Sequence, residues 1–440
     1  ECLAAGRGIS LPAQATGGSK LAIRVCSAHG VVRKQFGVSI GQFEGIEEPM
    51  ARIAASTYSL EAMRRYTLGA LDKGIKPSTI TAMQKYYSTE MGRKVINDAM
   101  DIMGGAGISL GQRNLLGEIY VATPIGITVE GANILTRTLI IFGQGAMRSH
   151  PFAFMEVKAV ESNDVKLLDH AFWGHIGHIV TNICRSVLLS LTRGYLASTP
   201  ECHPEMRRYF RRLKWTSATF AILADVAMGT LGGKLKEKQK ITGRFADILA
   251  MMYMATSVLR RFEADGRPKE DLPLVHYNLK YMMAEIQKAF DGIFDNLKIP
   301  GLRWFVKGWI GAWSRINSIG SQASDGWSHE ISKRVLYNEE VRNRLTDGIF
   351  FPQKEGEQLL RLEKARKVVL EADAVEVKMR KAVKSGAIPK AKGPALYDSA
   401  KAKGVITPAE FDLMKQVDAV RLDAVTVDDF SESEYQNKIP

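Results

Sequence analysis

Apolar residues recur every three or four positions through most of this chain, and that spacing marks one face of an α-helix. One sustained run consists of Met83, Tyr87, Met91, Val95, Ala99 and Ile102. Alternating, strand-like patterns are rare. Hydrophobic residues make up 45% of the 440 positions, which is enough for packed cores. The sequence therefore predicts an all-α fold, with a helical bundle followed by a second helical region.

One carboxylate interrupts an apolar stretch at residues 127–137. Glu130 follows Val129 and precedes Gly131. Burial disfavours a charged carboxylate, so such a group is either paired or suited to accepting a proton near neutral pH. The alternative is an acidic residue that complements the dipole at a helix N-terminus. Both interpretations of Glu130 stay open on these residues alone.

Two other segments have glycines or basic residues in a suggestive order. Gly104 and Gly105 follow the long helical run directly, whereas a nucleotide-binding glycine-rich turn would follow a strand. The pair therefore predicts a helix C-cap, or a place where a flat ligand approaches the backbone. Arg33, in residues 32–37, is either a solvated helix residue or a phosphate clamp.

Taken in order, these blocks resemble a known family. Arg-Lys-x-Phe-Gly at 33–37, the long amphipathic helix, Gly104-Gly105 and Glu130-Gly131 resemble the C-terminal helical domain of acyl-CoA dehydrogenases, over residues 1 to about 150. Residues 223–235 look like the extra C-terminal region of the bacterial long-chain enzymes of fatty-acid β-oxidation. The resemblance, and a first residue that is not Met, imply N-terminal helical and β domains upstream.

The resemblance implies a role for each matching residue. Glu130 would remove the α-proton of the acyl thioester while the β-hydride leaves to FAD. Gly131 would leave room beside the thioester, and Arg7 would bind substrate. The cofactor-binding positions implied by the resemblance are Arg33, which would reach the FAD pyrophosphate of a neighbouring subunit, and Phe36, Asp101, Gly104, Gly105, Ala132 and Ile134.

Some of these positions depart from the family pattern. Asp101 and Glu44 stand where many relatives have Gln, and Ala132 and Ile134 stand where relatives often have Thr and Gln. The substitutions remove neutral donors and add carboxylates near a diphosphate, which would need offsetting cations. The base itself is intact. Its apolar flank would exclude water; it consists of Ile125, Ile127, Val129, Ile134 and Leu135.

The implied activity is FAD-dependent oxidation of a long-chain acyl-CoA to the trans-2-enoyl-CoA, in a homo-oligomer that passes electrons to an electron-transfer flavoprotein. An acyl-CoA oxidase using O2 is the alternative within the fold. A non-catalytic helical scaffold that has lost flavin is the alternative outside enzymes. The isolated 440-residue piece is expected to be inactive, because upstream domains should supply most contacts to the flavin ring.

The formal net charge of +13 limits the classes of partner that the chain is expected to bind. No nucleic-acid motif accompanies the basic clusters, such as residues 207–214, so no nucleic acid is predicted. Coenzyme A, FAD, an anionic membrane surface or a plain solvated face remain. Four scattered cysteines suit a reducing cytoplasm, with association at the inner face of the cell membrane as an option. The best apolar window, residues 220–231, contains Asp225, so no membrane-spanning segment is predicted.

Two clusters suggest other chemistry. His170, His175 and His178 invite a metal site, but the Glu-x-x-His pairs of di-iron bundles are absent, so no metal is predicted. The second cluster is an apolar stripe, which fits an interfacial membrane helix or a subunit-interface or core face. Its members are Leu302, Phe305, Trp309, Trp313 and Ile316.

The chain is expected to form three blocks. Residues 1–150 would be the dehydrogenase-like helical domain, 151–350 a structural or assembly domain, and 351–440 a charged extension with a loose acidic tail. Within the extension, a helix is expected from about Gln353 to Lys384. Thr407 and Glu410 form a capping box that predicts the start of a last helix.

Overall fold

The structure, a computed structural model, describes residues 6–75, 77–297, 301 and 303–436. Most of these residues are helical and very few are in strands, which confirms the predicted all-α fold. The helices are α1 (Ser10–Val32), α2 (Glu44–Asp72), α3 (Ser78–Met103), α4 (Gly105–Ile108), α5 (Gly117–Ala122), α6 (Ile125–Thr128), α7 (Asn133–Leu135), α8 (Gly145–Ser149), α9 (Ala153–Glu161), α10 (Val165–Leu191), α11 (Arg207–Leu231), α12 (Gln239–Ala264), α13 (Leu272–Asn296), α14 (Arg303–Phe305), α15 (Gly311–Ile316), α16 (Asp325–Tyr337), α17 (Glu339–Thr346), α18 (Gln358–Glu371), α19 (Asp373–Lys384), α20 (Pro394–Ala402), α21 (Pro408–Val425) and α22 (Glu432–Gln436).

Short elements connect them. Two stretches are π-helical, Thr136–Gln144 and Val306–Ile310, and the 3₁₀ turns are Ile40–Gln42, Pro204–Met206, Gly232–Lys236 and Lys269–Asp271. Strands β1 (Lys34–Gln35) and β2 (Val38–Ser39) pair antiparallel, with Lys34 opposite Ser39. Phe36 and Gly37 form the turn between them at φ +50° and +86°, the left-handed pair that a tight hairpin requires.

The C-terminal extension differs in part from its prediction. The expected helix from Gln353 to Lys384 is wrong as a single element, because it begins at Gln358 and breaks at Ala372. Asp373 and Glu376 then occupy the first turn of α19, where their charges complement the helix dipole. The capping box is confirmed, since Thr407 and Glu410 exchange side-chain and backbone hydrogen bonds at the start of α21. Residues 437–440 of the predicted acidic tail lie outside the described residues.

The chain divides into two compact units, each assembled from separate segments. The first unit takes the described residues of Glu1–Thr16 with Ala55–Gly92 and Thr123–Trp327. The second takes Gly17–Ala54, Arg93–Ala122 and the described residues of Ser328–Pro440. The three sequential blocks remain a prediction about evolutionary domains, and these two units are the packing units of this structure.

In the first unit, α12 and α13 form the centre of the core. Their buried faces carry large apolar side chains at helical spacing, such as Phe245 and Phe262 on α12 and Phe290 on α13. The Phe245 ring stacks on Phe142, with centroids 4.3 Å apart. This contact fixes the π-helical stretch Thr136–Gln144, which directly follows the Glu130-Gly131 loop, against the core.

In the second unit, the buried face of α1 packs where small residues permit close approach. A side chain at Gly41 would put a Cβ 3.0 Å from the Gly30 carbonyl oxygen and 2.9 Å from Leu336 Cδ1, so glycine is required there. The β1–β2 hairpin follows α1 immediately. Among the described residues of both units, Cys26, Cys184 and Cys202 are free thiols.

Among the described residues, one helical stretch, Pro204–Lys236, has the length and composition to cross a membrane. The bent pair Gly117–Thr128 and Asn133–Ser149 would meet the same criterion only as one broken span. The core helix of a soluble protein meets this criterion as well.

Candidate active site

The Glu130-Gly131 loop connects two short helical turns. Helix α6 ends at Thr128 and α7 starts at Asn133, with Ala132 as its N-cap. Glu130 has φ +56° and Gly131 has φ +103°. A left-handed non-glycine residue costs on the order of 1–3 kcal/mol and is found where the surroundings hold it for a purpose. Glu130 is therefore not an ordinary acid in the first turn of a helix.

The Glu130 carboxylate faces polar groups from the start of the chain. Ser10 Oγ donates a hydrogen bond to Oε1 at 3.3 Å. Oε2 is buried and has no hydrogen-bond partner among the described residues. Burial lowers the pKa of the Arg7 guanidinium, and the Glu130 carboxylate lies close enough to oppose that shift. The Arg7 guanidinium is held by the Ser78 carbonyl, 3.1 Å away.

A buried lysine holds the loop from the other side. Lys85, on α3, is fully buried, and its ammonium donates to the Gly131 carbonyl at 2.6 Å and to Asn133 Oδ1 at 2.7 Å. The Asn133 amide then donates to Thr89 Oγ1 at 3.0 Å and to Glu90 Oε1 at 2.9 Å, one turn further along α3. Burial lowers the pKa of Lys85, and Glu130 and Glu90 oppose that shift.

The segment after the loop is tied to the core by a second polar cluster. Arg137 Nε donates to Asp247 Oδ1 at 2.8 Å, and the Tyr87 hydroxyl donates to the same oxygen. Burial and the neighbouring Asp247 raise the pKa of Tyr87 well above its usual value. A π-helical segment is an uncommon, strained geometry that often occurs at functional sites. Here it places Arg137 against α12.

Of the predicted site residues, the structure brings Arg7, Glu130 and Gly131 together. Ala132 and Ile134 lie on the outer side of the same loop, and Ile134 is 80% exposed. The expectation that the apolar flank excludes water is wrong for this chain taken alone, because Ile125, Val129 and Leu135 are also exposed. They lie on turns of four residues or fewer, which have too little surface to pack both sides.

The other predicted cofactor positions lie in the second unit. Arg33 is half-buried at the end of α1, and Phe36 at the hairpin turn is 94% exposed. Gly104 follows α3 at φ +57°, and no atom lies within 4 Å of a Cβ built at Gly104 or Gly105. A cation, an unshielded ring and an accessible backbone fit an extended anionic cofactor such as FAD.

Glu44 and Asp101, the two carboxylates that depart from the family pattern, lie at helix ends. Glu44 opens α2, where its charge complements the helix dipole, and Asp101 is exposed on the last turn of α3. Neither side chain supplies the neutral donor that the family pattern has at its position. The cofactor-binding interpretation therefore depends on Arg33, Phe36 and the glycine pair.

Histidines of the first unit gather around a carboxylate that sequence reasoning did not select. Ligand atoms of His150, His175 and Asp225 lie within 4.8 Å of one another. However, His150 Nδ1 accepts the backbone N–H of Ala153 at 2.8 Å, so the neutral ring carries its proton on Nε2, 3.0 Å from Asp225 Oδ1. Burial lowers the pKa of His150 and favours this neutral form. That Nε2 has no free lone pair, so His150 cannot be a metal ligand in this form.

Sequence reasoning missed Lys85, Asn133 and Ser10. A signal was present on α3, where Thr81, Lys85 and Thr89 place a polar stripe at intervals of four on a helix that also carries an apolar stripe. Such a stripe predicts a polar partner for the helix but does not identify it. The partner, a loop more than 40 residues later, is visible only in the fold.

The fold and the Glu130 loop together define an all-α protein that presents one carboxylate from a strained turn. Two family descriptions match the chain: "Acyl-CoA dehydrogenase, C-terminal domain" over residues 1–142 and "Acyl-CoA dehydrogenase, C-terminal, bacterial type" over residues 147–430. The chain belongs to the acyl-CoA dehydrogenase family.

Individual relatives agree with this assignment. The chain is 28% identical over 309 residues to the probable acyl-CoA dehydrogenase FadE10 of Mycobacterium tuberculosis, covering 67% of this chain and 46% of that protein. It is 33% identical over 122 residues to the mouse mitochondrial very long-chain specific acyl-CoA dehydrogenase, covering 27% of this chain and 18% of that protein.

A solved structure supports the fold. An acyl-CoA dehydrogenase from Bacillus anthracis, complexed with FAD, matches with a TM-score of 0.60 and 17% identity, over 77% of this chain and 56% of that one. The chain thus spans about half the length of the mycobacterial and Bacillus relatives.

Proposed function

We propose that this chain supplies the catalytic base and part of the cofactor site of an acyl-CoA dehydrogenase that oxidises long-chain acyl-CoA to trans-2-enoyl-CoA. One observation carries the proposal. Glu130 is held in a strained conformation beside two cations, Arg7 and Lys85, with a buried carboxylate oxygen that no described residue uses. A carboxylate oxygen so placed is available to accept a proton, as a general base must be.

In the proposed reaction, Glu130 Oε2 takes the α-proton of the thioester. The electron pair of that C–H bond becomes the new double bond between the α- and β-carbons, and the β-carbon loses a hydride. Ser10 and Lys85 fix the carboxylate and its loop, while Gly131 keeps the backbone beside the substrate free of a side chain. The proton therefore moves to one defined oxygen, and no second acid or base is required from this chain.

FAD would supply the acceptor for the β-hydride. In this proposal, Arg33 binds the pyrophosphate of a neighbouring subunit's FAD, which makes the enzyme a homo-oligomer, and Phe36 and the Gly104-Gly105 backbone border the cofactor. Electrons then pass to an electron-transfer flavoprotein. The reducing cytoplasm, with part of the enzyme at the inner face of the cell membrane, is the proposed location.

Replacing Glu130 by Gln tests the proposal in the flavin-loaded protein expressed from its complete coding sequence. Turnover with palmitoyl-CoA and an artificial electron acceptor should fall by on the order of 10²–10⁴-fold, the usual contribution of a general base. The visible flavin absorbance should persist. Glu161→Gln, on the exposed last turn of α9, is the matched control and should keep wild-type turnover.

Each other outcome rejects part of the proposal. Turnover of Glu130→Gln within twofold of the wild type would exclude Glu130 as the base. A purified protein without bound flavin would favour a helical scaffold. Peroxide formed from O2 as fast as the artificial acceptor is reduced would identify an acyl-CoA oxidase.

A further inference from the structure

Lys85 is unusual for its burial alone. It lies in the second turn of α3 with no exposed surface, and lysines are almost never fully buried unless their charge is compensated. Its surroundings must therefore supply acceptors that offset the loss of hydration. Those acceptors belong to the segment that carries Glu130.

The three donors of the ammonium reach both sides of Glu130. Nζ lies 3.4 Å from the Ile127 carbonyl oxygen, three residues before Glu130. It lies 2.6 Å from the Gly131 carbonyl oxygen, one residue after Glu130, and 2.7 Å from Asn133 Oδ1. An ammonium has three N–H donors and no acceptor, so these contacts use its full capacity. One side chain thus closes the loop around the base.

The backbone of the loop must be held in place by contacts from outside it. Glu130 and Gly131 are consecutive residues with left-handed φ, a conformation that the Glu130 side chain alone would not stabilise. Thr136 Oγ1 adds a weaker donor to the Gly131 carbonyl at 3.2 Å. Asn133 is held in turn by Thr89 and Glu90, so the loop is attached to two turns of one rigid helix.

Lys85 also acts through its charge. It is a cation close enough to Glu130 that the carboxylate opposes the lowering of the lysine pKa by burial. The attraction between the two charges adds to the hydrogen bonds that hold the loop.

We propose that Lys85 is a positioning residue for the reaction: it sets the backbone conformation of Glu130 without touching the reacting atoms. This inference rests on the proposed role of Glu130 as the base. It predicts a defect in turnover, while the affinity for acyl-CoA and FAD is retained.

Lys85→Met, which keeps the length and removes the charge, tests this in the flavin-loaded protein expressed from its complete coding sequence. We expect kcat to fall on the order of 100-fold, as for other small displacements of a reacting group. KM for palmitoyl-CoA and the flavin content should stay within threefold of the wild type. Lys85→Arg keeps the charge but replaces the compact ammonium by a planar guanidinium, so its kcat should also fall.

Lys94→Met is the matched control, since Lys94 is an exposed lysine on the same helix, and its kcat and KM should equal those of the wild type. If Lys85→Met does not yield folded protein, Asn133→Ala is the second test, because it removes one acceptor of the Lys85 ammonium and retains the lysine charge. A tenfold fall in its kcat at unchanged KM supports the proposal, and a kcat within twofold of the wild type overturns it.

Failure of the proposed base and failure of the positioning role give different results. A Glu130→Gln variant that keeps wild-type turnover would exclude Glu130 as the base. An inactive Glu130→Gln variant, together with wild-type kcat for Lys85→Met, would leave Glu130 as the base and overturn the role of Lys85.

Discussion

Gly131 has the most restrictive backbone requirement at the site. Its φ of +103° is unfavourable for any L side chain, and a Cβ would lie 3.3 Å from Thr136 Oγ1, which donates to the Gly131 carbonyl. Gly131→Ala should lower the free energy of local unfolding by about 1–3 kcal/mol and reduce kcat at least tenfold, because the strain moves Glu130. Gly177→Ala, in the interior of α10 with no atom near the new Cβ, should be neutral or slightly stabilising. Denaturant unfolding and kcat measured on both variants check this, and equal effects at the two positions would contradict it.

Single residues were predictable from the sequence where their chemistry is visible in the chain itself. The Glu-Gly pair stands out because a carboxylate interrupts an apolar run, and the structure places Arg7 close to Glu130. The roles of these residues stay predictions. Lys85 and Asn133 were not predicted, because the contacts between helix α3 and the Glu130 loop join residues more than 40 positions apart in the sequence. The φ of Glu130 was equally hidden, since a glutamate gives no sequence signal for left-handed backbone.

At the scale of elements, three helices of the second unit meet at a buried arginine. Arg342 on α17 is fully buried, and its guanidinium donates to Glu363 Oε2 on α18 at 2.8 Å and to Ser27 Oγ on α1 at 2.8 Å. Glu363→Gln leaves that charge without its main counterion and should lower the free energy of unfolding by about 3 kcal/mol. Glu355→Gln, an exposed carboxylate 3.1 Å from Lys364, should change it by less than about 1 kcal/mol. Denaturant titration followed by far-ultraviolet circular dichroism measures both, and similar midpoints for the two variants would contradict the prediction.

Elements were predictable where local rules decide them. The long helices follow from their periodicity, and α21 begins at its predicted capping box. The β1–β2 hairpin was not foreseen, because each strand has two residues and its turn uses Phe36, a residue that rarely adopts positive φ. The π-helical stretch Thr136–Gln144 was also hidden, since the contacts that stabilise it come from α3 and α12.

At the scale of the molecule, the first unit exposes a larger apolar surface than is usual for a soluble protein. The outer side of α10 exposes Phe172, Trp173, Ile176, Val180, Ile183, Val187, Leu188 and Leu191. The predicted stripe continues this surface, because Trp313 Nε1 donates to Ser190 Oγ at 2.8 Å. Phe305, Trp309, Trp313 and Ile316 are exposed, so the prediction of a core face is wrong for this chain, and Leu302 lies outside the described residues. A membrane-binding surface and a subunit interface remain as the two interpretations of this apolar surface.

We expect the membrane surface, because exposed tryptophans and basic residues such as Lys307 suit the headgroup region of an anionic bilayer and the chain carries a net charge of +13. The protein expressed from its complete coding sequence should sediment with vesicles of phosphatidylglycerol and phosphatidylcholine, less so as salt is raised. Replacing Trp304 and Trp309 together by Ser should reduce the bound fraction at least fivefold. Phe350→Ser removes an exposed ring in the second unit and should have no effect. If the double variant instead dissociates an oligomer in size-exclusion chromatography and binds vesicles like the wild type, the surface is a subunit interface and the membrane prediction is wrong.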